Sequence, residues 1–220
     1  MKNEVLKRIL SSIAIIPVAF FFIFKGSVFF TFFLVIFFLV TSYEWIKMNK
    51  KISIKLLGVI FLFLSSCSAY LLREGENNDG LNVFIFVMLI CIFTDIGGYI
   101  FGKLFKGPKL IKISPNKTYS GMIGSFVLSI IAANLFIKQL PLLTIFELKF
   151  FILNDIKLLF VILFISSVSQ IGDLVISYFK RLSKVKNTGN LLPGHGGLLD
   201  RVDGIIFAIP ISFILFRYLF

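Results

Sequence analysis

Leu81–Phe101 reads LNVFIFVMLICIFTDIGGYIF, twenty-one residues with a single charge, Asp95. About 20 mostly apolar residues cross the hydrocarbon core of a bilayer as a helix. This stretch therefore predicts a transmembrane helix, and six further runs repeat the pattern. They are Ile9–Phe24, Val28–Ile46, Ile52–Leu72, Met122–Ile137, Leu158–Phe179 and Gly204–Phe220, the first and last being short. Leu142–Leu153 is apolar but holds Glu147 and Lys149, so it reads as an interfacial or re-entrant piece, with an eighth span left open. Whole-chain composition agrees: 58% hydrophobic, 15% charged, mean hydropathy +0.97. That excludes a soluble domain, which is about a quarter charged, and a disordered chain, which needs low hydrophobicity. The predicted fold class is all-α, a polytopic membrane helix bundle of about seven transmembrane helices. No repeat or linker divides it. It is read as a single integral-membrane domain over 1–220, with N-terminal spans in 1–80 and a membrane core in 81–220.

The chain is also basic, with net charge +12. Sorting its cations over alternating loops places 17 of the 23 Lys and Arg on one side. By the positive-inside rule that side is cytoplasmic, and the N-terminus lies there. An eighth span would spoil the alternation. The first run lacks a small-x-small cleavage site before Lys25 and is read as retained rather than as a signal peptide. Cys67 and Cys91 sit in apolar runs as small hydrophobes.

Carboxylates inside spans are costly and mark function by default. Asp95 and Asp173 lie about 10 Å or less from the basic side, at 1.5 Å rise per residue. Ser166, Gln170, Asp173 and Ser177 follow at steps of 4, 3 and 4, forming one helical stripe. Around Asp95 stand Gly98, Tyr99 and Gly102, small enough in part to admit a helix or a ligand. The stripe also reads as a hydrogen-bonded seam between helices. The paired acids at one depth favour a site.

Two cytoplasmic loops flank these acids. In the fourth, Ser114-Pro115-Asn116-Lys117-Thr118-Tyr119-Ser120-Gly121 makes a turn, and Thr118 or Ser120 is placed to cap the following helix. Its helix start and Lys117 suit a phosphate, and the loop also reads as a basic surface against anionic lipid. The sixth loop carries Lys180, Arg181, Lys186, then Gly194-His195-Gly196-Gly197, then Asp200, Arg201 and Asp203. Cations for phosphate oxygens beside hard carboxylate donors for a divalent cation predict a phosphate-and-metal site. Glycines there let backbone approach a ligand. The role of His195 stays open.

The run Ser177-x-x-Lys180-Arg181, then Lys186, then Pro193-x-His195-Gly196-Gly197-x-x-Asp200-Arg201-x-Asp203 resembles the phosphatidate cytidylyltransferase (CDP-diacylglycerol synthase) family. It fixes many positions over 27 residues. Gly172-Asp173-Leu174, Ser114-Pro115-x-Lys117-Thr118-x-x-Gly121, and Asp95 with Tyr99 and Gly102 support it. The first 80 residues match only as generic spans. The resemblance implies transfer of a cytidylyl group from CTP to phosphatidic acid in the inner leaflet, giving CDP-diacylglycerol and pyrophosphate. It implies Mg²⁺, often with a second, monovalent cation, in a cavity open to the cytoplasm, and an integral inner-membrane location. Asp173 and Asp200 become the metal-binding acids, and Lys180, Arg181 and Arg201 complete the catalytic set. Ser114, Lys117, Thr118, Ser177, Lys186, His195, Gly196, Gly197, Asp203, Asp95 and Tyr99 are the expected substrate-binding residues. Membrane lipid is a partner, nucleic acid is not, and a homodimer fits the family. The chain departs from the family pattern at Asn187, Ile176 and Ser120, each usually a carboxylate, and at Lys103, commonly Arg. Two rival readings are a CTP-dependent lipid kinase and an ion transporter. The product separates the first, and flux without CTP consumption the second.

Overall fold

The computed structural model describes residues 17–75, 79–111, 114–139, 156–191 and 196–219. The start of the first expected span, the stretch Leu142–Leu153 and His195 lie outside the described residues. Helices dominate: α1 (17–25), α2 (Ser27–Met48), α3 (Ile52–Glu74), α4 (Gly80–Phe105), α5 (Tyr119–Gln139), α6 (Ile156–Leu182), α7 (Leu199–Val202) and α8 (Ile205–Leu219). The helices α2 to α6 are each long and apolar enough to cross a membrane. Their outward faces are apolar too, as at Val28, Leu57, Leu104 and Ile156. A helix apolar all round belongs in lipid rather than water, and the chain is an all-α membrane bundle.

α8 is the short last helix expected, and the fourth loop departs from the sequence reading. α8 has only 15 residues, about 22 Å at 1.5 Å per residue. Its head lies inside the protein: Asp203 and Gly204 are buried, and Ser65 Oγ donates to Ile206 O at 2.8 Å. The fourth loop is a small antiparallel hairpin, β1 (Lys109–Ile111) with β2 (Ser114–Thr118), pairing Lys109 with Thr118 and Ile111 with Ser114. Residues with too few apolar side chains to enter lipid satisfy their backbone by pairing with each other.

α4 and α5 pack through a glycine seam. A Cβ on Gly97 would strike the Gly124 backbone, so only glycine lets these two backbones approach so closely. The helix, not a ligand, is thus what most of these small residues admit. Two apolar clusters hold the bundle. The larger centres on Phe30, Phe86, Ile90, Leu158, Ile162 and Ile165; the other, on Trp45, Leu62, Ile176, Leu199 and Ile206, lies under the sixth loop.

The helix order gives the bundle two distinct ends. At one, Arg73 and Glu74 of α3 meet the α1–α2 turn. Arg73 Nε donates to Ile23 O at 3.1 Å, Nη1 pairs with Glu74 at 2.7 Å, and Glu74 Oε1 accepts Ser27 N–H at 2.6 Å. At the other end, α2, α4 and α6 finish while α3, α5 and α8 begin. The second, fourth and sixth loops, the lysine-rich ones, gather there.

Candidate active site

A cavity of about 400 Å³ opens at the lysine-rich end. α4 supplies Thr94, Asp95 and Gly98; the hairpin supplies Leu110, Ser114, Lys117 and Thr118; α5 adds Gly121, Met122 and Ser125. Gln170, Asp173 and Lys180 come from α6, and Asp200 and Asp203 from the α7 segment. Residues more than a hundred positions apart meet because α4 and α6 end at one level of the bundle.

Ion pairs organise the lining. Lys117 pairs with Asp173 and also donates to Gln170 O at 3.3 Å. Ser177 Oγ donates to Asp173 Oδ1 at 3.3 Å. Lys180 Nζ stands 2.9 Å from Asp200 Oδ1 and 3.9 Å from Asp203 Oδ2. Asp200 Oδ2 is committed elsewhere, accepting Thr188 N–H at 2.8 Å, Thr188 O–H at 3.1 Å and Gly197 N–H at 3.0 Å. Burial, and next the charge of Asp173, pushes the Asp203 carboxyl up to about 8.

The polar stripe on α6 divides along its length. Ser166 accepts Thr94 O–H at 2.8 Å, and Ser125 Oγ donates to Thr94 O at 2.7 Å, which is a hydrogen-bonded seam. Gln170 and Asp173, nearer the basic end, line the cavity. Of the two caps considered for α5, Thr118 is the one used: its Oγ1 accepts Gly121 N–H at 3.1 Å. Ser120, in the first turn of α5, instead accepts Gly107 N–H at 3.3 Å, tying α5 to the segment that leaves α4.

The structure brings together Asp95, Ser114, Lys117, Thr118, Asp173, Lys180, Asp200 and Asp203. It leaves Arg181, Lys186 and Arg201 exposed and outside this lining. Tyr99 is 69% exposed, with Lys103 Nζ 5.7 Å from its ring centroid. Ser177 reaches the cavity only through Asp173. Gly196 and Gly197 are buried beneath the loop, where Gly197 faces Thr188 and Glu44. Thr94, Leu110, Met122 and Ser125 of the lining, and Glu44 behind it, are not singled out by sequence motifs; for Glu44 the signal is a lone acid near the end of the second apolar run.

All the carboxylates here offer hard oxygen donors, the chemistry that suits Mg²⁺ together with phosphate. Among the described residues no three His, Cys, Asp or Glu converge as a ready-made metal centre. Asp173 and Asp200 each face a lysine instead. The donor set fits a cation shared with substrate phosphates rather than one held by protein alone.

Residues 54–219 match the model of the Cytidylyltransferase family. The chain is 42% identical over 142 residues to a phosphatidate cytidylyltransferase of Staphylococcus haemolyticus (strain JCSC1435), covering 64% of this chain and 51% of that protein. It is 36% identical over 188 residues to the protein of that name from Staphylococcus aureus (strain COL), covering 81% and 65%. For the one from Bacillus subtilis (strain 168) the figures are 38% over 159 residues, 70% and 55%. The chain thus spans between about half and two thirds of the length of these curated relatives.

Proposed function

This chain belongs to the cytidylyltransferase family, and we propose that it transfers a cytidylyl group from CTP to phosphatidic acid, yielding CDP-diacylglycerol and pyrophosphate. The observation that carries this reading is the pair of lysine–carboxylate contacts, Lys117–Asp173 and Lys180–Asp200, in one cavity lining. An anionic substrate and its cation can exchange partners with such pairs: phosphate takes the ammonium groups and the cation takes the carboxylates. Both pairs line open volume, which leaves room for a substrate beside them.

A phosphate oxygen of phosphatidic acid attacks the α-phosphorus of CTP, and the bond to the β-phosphate oxygen breaks. The attacking oxygen is already ionised near neutral pH, so positioning and charge neutralisation carry the reaction. Lys117, from the hairpin, and Lys180, from α6, hold phosphate oxygens. Ser114 and Thr118 offer hydroxyl donors beside Lys117. Asp173 and Oδ1 of Asp200, the oxygen not committed to the loop, would hold Mg²⁺, with Asp203 adjacent. When bound, Mg²⁺ neutralises charge on the triphosphate. Asp95 shapes the far wall or holds a second, monovalent cation. Arg181 and Arg201, exposed on the same end, attract the anionic substrates from outside.

The sorting of 17 basic residues to one side supports a cytoplasmic cavity and N-terminus in the inner membrane. A diacyl lipid then keeps its tails in that leaflet while its phosphate enters the cavity. The test is purified protein with CTP, Mg²⁺ and phosphatidic acid, and with ATP, GTP and UTP as controls. CDP-lipid and pyrophosphate from CTP are expected. A phosphorylated lipid with CDP would establish a kinase instead, and ion flux without CTP turnover would establish a transporter.

A further inference from the structure

Glu44 lies on α2, ahead of the 54–219 stretch that matches the family model. It is 2% exposed. A carboxylate so deeply buried is costly unless donors surround it. Its donors come from the opposite end of the sequence. Oε1 accepts Leu198 N–H at 2.9 Å; Oε2 accepts Leu199 N–H at 2.9 Å and Thr188 O–H at 3.1 Å. The first amide groups of a helix have no partner within it and need an outside acceptor. For α7 that acceptor arrives from a residue 155 positions away.

Thr188 links this anchor to the cavity. Its hydroxyl stands 3.1 Å from Glu44 Oε2 and 3.1 Å from Asp200 Oδ2. A hydroxyl carries one proton, so it donates to one carboxylate at a time. Whatever moves Glu44 redistributes that bond and so shifts Asp200. The fit is close on the remaining side, since a Cβ at Gly197 would collide with both Thr188 and Glu44. One turn further along α7 is Asp203, so Glu44 fixes the height and rotation of both cavity acids.

We propose that Glu44 is a positioning residue for the reaction: it holds Thr188 and the Leu198–Leu199 start of α7 so that Asp200 and Asp203 meet Lys180 in the cavity. The inference rests on the cytidylyl-transfer reading for its catalytic consequence. Its structural half needs no substrate.

The test compares wild type, Glu44→Gln and Thr188→Ala in detergent. Glutamine keeps the volume but turns an NH₂ group toward one of the amide donors. Hydrogen exchange at Leu198 and Leu199 is expected to accelerate in Glu44→Gln. Its kcat is expected to fall about tenfold or more with KM for CTP changed less than about twofold, the signature of misplaced groups rather than lost binding. Thr188→Ala, which removes one bond of the three, serves if Glu44→Gln fails to fold and should show a smaller change in the same direction. In an Asp200→Asn background, Glu44→Gln should cost less than about twofold more, because coupled residues are not additive. Unchanged exchange, or an undiminished Glu44→Gln loss in the Asp200→Asn background, would overturn the proposal. If wild type makes no CDP-lipid, the transferase reading fails by itself, and exchange at Leu198 and Leu199 still decides whether Glu44 holds the loop.

Discussion

The two ends of the bundle use the same kind of ion pair for different ends. At the α1–α2 turn, Arg73 and Glu74 spend their remaining hydrogen bonds on backbone, on Ile23 O, Phe24 O and Ser27 N–H. The Arg73 guanidinium also lies 5.7 Å from the Phe30 ring centroid. That pair is closed and joins three helices. At the lysine-rich end, Lys117–Asp173 and Lys180–Asp200 face a cavity of about 400 Å³. Position rather than composition separates a clamp from a site. Backbone bonds steady both kinds of pair, as at Lys117 on Gln170 O and at Asp200 Oδ2 on the Thr188 and Gly197 N–H groups, but only the pairs that line open volume can exchange partners.

The largest effect is expected at Asp173. Asp173→Ala should abolish Mg²⁺-dependent conversion of labelled CTP to CDP-lipid, a loss of about a hundredfold or more if the carboxylate holds the cation. Membrane insertion should persist, and normal turnover in that variant would remove the metal assignment. Lys180→Ala should follow with a loss of about tenfold in kcat/KM, seen mainly as a raised KM for one phosphate substrate. Unchanged kinetics would place Lys180 with the structural pairs.

A third test uses acidity. Asp203 holds its proton to about 8, and a cation binding there must displace it. Mg²⁺ affinity should therefore climb as pH rises through about 8 and level off above, which calorimetric titration would read. The sign for folding is opposite. The unfolded carboxyl ionises near 3.8, so the metal-free fold loses stability progressively from about pH 4 to 8. The smallest functional effect is expected at the closed end. Arg73→Ala should cost about 1–3 kcal/mol of stability by leaving Glu74 and two carbonyls without their donor. Turnover per folded molecule should stay at the wild-type value; a change in KM for CTP would show the two ends to be coupled.

Much of this arrangement was legible in the chain. Apolar runs give spans directly, because lipid admits only backbone that satisfies itself, and the helix ends fell within a few residues of the expected ones. Asp95 and Asp173 could be matched in depth because rise per residue converts sequence position into height. Less could be read about facing. Arg181 follows Lys180 immediately, yet on a helix that step turns the side chain about 100° away, and it points outside the cavity lining. Gly197 looked like space for a ligand and is space for Glu44 and Thr188. Ile176, where the family pattern usually has a carboxylate, is buried beside Trp45 and Leu62, an apolar place that suits isoleucine.

The order of residues alone is enough to make this a membrane bundle, to sort its loops between two sides, and to put certain acids and cations near one depth. Those properties follow from hydropathy and from the fixed geometry of a single helix. Only the tertiary structure decided which lysine faces which aspartate, that the fourth loop pairs as a hairpin, that α8 starts inside the protein, and that Glu44 caps α7 from across the chain. These are contacts between helices. They depend on rotation about each axis and on close approach at positions such as Gly97 and Gly197, which no single segment encodes.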